Sequence, residues 1–170
     1  MEEFLKSWKN IAYASAIIDD SMIRSIIRFA FDDSKPEHWR AAWLIDKACR
    51  KNPELLKPYL PEIYSGLKAI KNLSHIRHFL HIISQHPVPC EEQMPLYDLC
   101  LNLFSKSDSP IAVRTYAMDI AYSITKLHPE LCAEMIQILE FILEQPCSAG
   151  VKAKGKNILK KLHLNIKSRH

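Results

Sequence analysis

Histidines, arginines and lysines recur in this chain at spacings that could do chemistry. His75, His78 and His81 step by three residues, and His86 follows closely. On a helix these positions share one face, and two imidazoles one turn apart can hold zinc. No Cys, Asp or Glu lies within that stretch to complete a ligand set, because Glu91 and Glu92 come only after Pro87 and Pro89. The expectation is a partly exposed helix face, with no metal and no cofactor.

Arg40, Arg77 and Arg114 are 37 residues apart each time. Such a series suits either a ladder of ion pairs, with Asp33 and Asp108 capping helices and pairing with the arginines, or a row of cations facing phosphates or carboxylates. The ladder is the expectation. At the C-terminal end, Lys152, Lys156 and Lys160 step by four along one face, and Lys154 and Lys161 add to the charge. A solvated polar cap accounts for these lysines, and a polyanion-facing surface is the second reading. Together the three arginines and the five lysines form the candidate interaction surface.

Nucleophiles and acids offer less. No G-x-S-x-G occurs, and Cys147-Ser148, at a helix start with Lys152 nearby, is the only thiol whose surroundings would lower its pKa. The acidic pairs Glu2-Glu3, Asp19-Asp20 and Asp32-Asp33 sit at helix ends, where Asp and Glu cap turns or meet the helix dipole. Adjacent residues diverge, so these pairs make poor two-carboxylate sites. No catalytic residue is assigned, and the chain reads as a non-enzyme.

Composition narrows the classes further. Only Gly66, Gly150 and Gly155 occur in 170 residues, too few for phosphate-cradling loops or dinucleotide fingerprints. There is no long apolar run to cross a membrane, and MEEFLKSWKN has the wrong charge order for a secretory signal. The five cysteines are odd in number and never spaced C-x-x-C. Cys49, Cys100 and Cys132 fall in apolar stretches, as reduced thiols in a cytoplasmic protein would. The net charge of +4 is uneven: residues 1–149 hold 16 Lys/Arg against 19 Asp/Glu, while residues 150–170 hold seven basic residues and no acid.

The elements that must position these residues are helices. Apolar stripes at helical spacing, such as Leu56, Tyr59, Leu60, Ile63, Leu67 and Ile70, recur throughout, and no sustained alternation marks a strand. Breakers such as Asn52-Pro53 and His128-Pro129 divide the chain into nine helices at about 2–17, 20–31, 37–51, 54–70, 73–85, 91–105, 110–127, 130–144 and 148–163. Pro58 and Pro61 interrupt the fourth, which either starts near Pro58 or bends there. Helix 37–51 is apolar on two sides and must be sandwiched, with Trp39 and Trp43 in the core.

The 37-residue step carries matching flanks. HWRAAWLI, HIRHFLHI and AVRTYAMDI each place the arginine near a helix start, a proline joint and second helix follow, and Lys154 stands as a degenerate fourth copy. This pattern resembles HEAT and armadillo-like repeats, whose unit carries an Asp six residues before an Arg. Asp108 and Arg114 match that spacing, whereas Asp33–Arg40 is one residue too long and Asn72–Arg77 one too short. HWRAAWLIDK, KNPELLKPYLPEIY and PIAVRTYAMDIAY further resemble small bacterial HEAT-like proteins, a likeness that implies a fold and supplies no reaction.

The resemblance implies an all-α, right-handed α-α superhelix of about four helix pairs in a single domain, 1–170. Residues 1–32 would cap the N-terminus, 33–147 form the central repeats, 148–163 the C-terminal cap and 164–170 a basic tail. The function expected is a scaffold for a protein or peptide. The first alternative is weak contact with the DNA backbone through the basic end, distantly like HEAT-like alkylpurine DNA glycosylases, although the middle of this chain is not basic. The second is a small-molecule enzyme with a pocket lined by Tyr13, Tyr116 and Tyr122.

Overall fold

The computed structural model describes residues 20–32, 34–70 and 72–167, and among these every regular element is helical. The helices are α1 (Asp20–Ala30), α2 (His38–Lys51), α3 (Leu60–Leu67), α4 (Leu73–Ile83), α5 (Cys90–Ser105), α6 (Ile111–Thr125), α7 (Cys132–Glu144) and α8 (Ala149–Lys167). The helix expected at 2–17 lies outside the described residues. Contacts divide the chain into two compact units, Met1–Pro87 and Val88–His170.

In the first unit, α2 packs on α1 and on α4, so this helix is covered from two sides. Ala41, Ala42, Leu44, Ile45, Ala48 and Cys49 are buried, but Trp39 and Trp43 are only half-buried. That corrects their expected place in the core. Their indoles lie instead under cations, with Arg40 5.3 Å above Trp39 and Lys47 4.8 Å above Trp43, an arrangement that suits rings with one wet edge.

The prolines decide how α3 begins. Residues Pro53–Tyr59 form a 3-10 segment containing Pro58, and the α-helix starts only at Leu60, with Pro61 in its first turn. A first-turn proline forfeits no helical hydrogen bond, so the α-helix starts near Pro58, as the first of the two expectations has it. Pro129 likewise opens a short 3-10 turn, Pro129–Leu131, ahead of α7. The stripe behind these prolines is buried as its spacing requires, at Leu56, Tyr59, Leu60, Ile63 and Leu67. Gly66 belongs to this packing, because a Cβ there would stand 2.6 Å from the Phe31 ring, and that ring stacks on Phe79 at 4.5 Å.

In the second unit α6 packs against α5 and α8, and α8 also packs against α7. Val151, Ile158 and Leu162 of α8 are buried, and its turn at Gly155 approaches Leu143 closely enough that a Cβ would lie 3.2 Å away. With no breaker after His163, α8 continues to Lys167 rather than ending at 163.

Candidate functional site

The three arginines are held in three different ways. Arg114 is 5% exposed and donates its Nε hydrogen to the Phe104 carbonyl at 2.9 Å. Asp108, at the repeat spacing, is exposed and makes no ion pair with it among the described residues. Arg77 is exposed and reaches the ring of His78 at 3.2 Å. Arg40 is half-buried over Trp39. Asp33 lies outside the described residues.

The histidines hold the largest surprise. His75, His78, His81 and His86 are all buried, which corrects the expected partly exposed face. The carboxylate of Asp46, itself 5% exposed, receives the Nδ1–H of His78 at 2.8 Å and that of His81 at 2.5 Å. Arg50 approaches the same carboxylate at 3.3 Å from one turn along α2. His78 then accepts from Arg77 through Nε2, which places its ring proton on Nδ1 and aims it at Asp46. Nearby, His75 tilts between His38 at 4.6 Å and Phe79 at 5.3 Å.

Burial alone would raise the Asp46 pKa, but the His78 hydrogen bond and the charges of His81 and Arg50 outweigh it and hold the carboxyl below its usual value. A Cys and a His also meet beside this cluster, with Cys49 Sγ 3.9 Å from His86 Nε2. The chemistry of a thiolate nucleophile is not set up there. Burial, with Asp46 adding to it, pushes the Cys49 thiol up to about 11, and burial pushes the His86 pKa down, so the thiol is held protonated next to a poorly basic ring. Among the described residues, no group of three or more His, Cys, Asp or Glu is placed to hold a metal ion.

Sequence reasoning missed Asp46 because its partners stand 32 and 35 residues away. The separation of 35 recurs. Asp46 pairs with His81, Gln93 Oε1 accepts from His128 Nε2 at 2.6 Å, and Asp119 takes Lys154 Nζ at 2.7 Å. The first and third rungs join one helix to a later one in the same unit, and the second joins α5 to His128 in the joint before Pro129–Leu131. Among the described residues, then, Asp–His, Gln–His and Asp–Lys pairs build a polar ladder, and Arg114 does not pair with Asp108.

The lysines of α8 divide accordingly. Lys154 is tied to Asp119, and Lys161 lies 5.6 Å from the Tyr122 ring centroid, whose other cation is Lys126 at 4.8 Å. Lys152, Lys156 and Lys160 are exposed. Tyr116 and Tyr122 are half-buried, and Tyr13 lies outside the described residues. No helix among the described residues is long and apolar enough to cross a membrane.

Stacked helices bridged by polar rungs at a fixed separation define an α-helical repeat protein. The family model of the HEAT repeat domain matches residues 6–162, and the chain belongs to the HEAT repeat family. Neither the search of curated proteins nor that of solved structures gives a significant match.

Proposed function

We propose that the chain is a non-enzymatic scaffold that binds a protein or peptide. HEAT repeats generally act as protein-interaction scaffolds, and one observation carries the reading to this chain. The exposed large apolar side chains among the described residues, Met94, Ile111, Leu127, Phe141 and Leu164, all belong to the second unit, with Phe141 63% exposed. Where such side chains adjoin on one face, they make the apolar surface that a protein partner covers. The test is affinity capture from native lysate, with cross-links mapped by mass spectrometry. Cross-links falling on the second unit support the proposal; a protein that captures nothing speaks against it.

A second reading, weak binding to a nucleic-acid backbone, is favoured by exposed Lys152, Lys156 and Lys160 on a helix without acidic residues. Removing α8 is a poor test, since it would uncover Val151, Ile158 and Leu162. Replacing the three lysines with Gln leaves the packing intact. Three phosphate contacts would give a slope of about −2.7 in log K against log salt. A flat response to salt would end this reading.

A further inference from the structure

In the second unit a cavity of about 430 Å³ lies among the end of α5, Arg114 of α6, the end of α7 and the segment leading into α8. Its volume is that of a small-ligand site. Phe141, Ile142 and Pro146 supply apolar lining, while Ser105, Arg114 and Cys147 supply polar groups. No carboxylate of the described residues lines it.

Arg114 is the unusual member. A buried cation is normally paired, and this one is 5% exposed with its Nε on the Phe104 carbonyl. No other hydrogen bond or ion pair among the described residues reaches its guanidinium. With Nε engaged, Nη1 and Nη2 remain as an end-on fork, whose parallel N–H groups match the two oxygens of a carboxylate.

We propose that this cavity binds a carboxylate flanked by an apolar group, with the carboxylate on the terminal nitrogens of Arg114 and the apolar group against Phe141, Ile142 and Pro146. Such a ligand is either the C-terminal residue of a polypeptide or a free carboxylic acid. The site explains why Phe141 stands 63% exposed beside a buried, otherwise unneutralised cation. It goes beyond the scaffold reading and does not depend on it.

The cysteines supply the assay. Cys147 lines the cavity and is half-exposed, Cys90 is exposed elsewhere on α5, and Cys100 and Cys132 are buried. Alkylation of the intact protein by iodoacetamide is followed residue by residue with mass spectrometry, with N-acetyl-phenylalanine and its neutral amide as probes. At about 10 mM, against a dissociation constant of about 1 mM for a ligand of this size, the acid should slow Cys147 about tenfold. Cys90 should keep its rate, and the amide should change neither.

Arg114→Lys, which keeps the charge but loses the fork, should weaken the protection. Phe141→Ser, at an exposed position that the fold does not need, should weaken it as well. N-acetyl-Ala-Ala-Phe protecting at lower concentration than the single residue assigns the site to a polypeptide C-terminus; equal concentrations assign it to a free acid. A Cys147 rate indifferent to the acid, or slowed equally by acid and amide, would overturn the proposal.

Discussion

Asp46 and His86 are buried residues of the first unit whose ionisation bears on its stability. Replacing Asp46 with Asn removes the charge that two buried imidazoles and Arg50 face, and breaking a buried pair costs about 3–5 kcal/mol. Because Asn still accepts one hydrogen bond, the expected loss is about 2–4 kcal/mol in urea unfolding followed by tryptophan fluorescence. Acid should weaken the unit in two steps. His86 has a depressed pKa, so its contribution is complete above the ordinary imidazole value of 6.5 and is lost as pH falls through the folded value. Asp46, also depressed, contributes fully above the ordinary 3.8 and loses that contribution at still lower pH. In stability-versus-pH profiles, His86→Gln should erase the upper step and Asp46→Asn the lower one.

Helix packing makes predictions of a different kind. Changing Gly to Ala in an open helix gains about 1 kcal/mol from propensity. At Gly66 the new methyl group meets a Phe31 ring held by its stack on Phe79, and overpacking costs about 1–3 kcal/mol. Gly66→Ala should therefore lower the melting temperature, and truncating the ring in the Phe31→Leu background should abolish that loss. The Asp119–Lys154 rung between α6 and α8 is about one-third exposed at both ends, which keeps its contribution to about 0.2–1 kcal/mol and makes it sensitive to salt. A double-mutant cycle with Asp119→Ala and Lys154→Ala should return a coupling in that range at low salt and less in high salt.

Across the whole molecule, the separation into two units has a measurable consequence. All three tryptophans, Trp8, Trp39 and Trp43, fall within Met1–Pro87, while buried Cys100 and Cys132 report on Val88–His170. In repeat proteins each element depends chiefly on its neighbours. Asp46→Asn should thus lower the urea midpoint of the tryptophan signal and leave the midpoint for alkylation of Cys100 nearly unchanged. Equal shifts of both signals would instead make the chain one cooperative domain.

Helical period and proline punctuation were readable from sequence because both are local: the stripe of Leu56, Ile63 and Leu67 is buried as its spacing demands, and the HEAT resemblance followed from short motifs at a 37-residue step. The polar site was not readable in this way. His78 and His81 look like an amphipathic face until α2 is laid against α4, when Asp46 arrives from 32 and 35 residues earlier. Asp108 stands at the repeat spacing from Arg114, yet the side chain takes the Phe104 carbonyl and lines the cavity instead. Local pattern determines which residues can turn inward, since periodicity acts within a few turns. Only tertiary packing decides which polar groups meet there, since buried donors and acceptors must be matched across elements far apart in the chain.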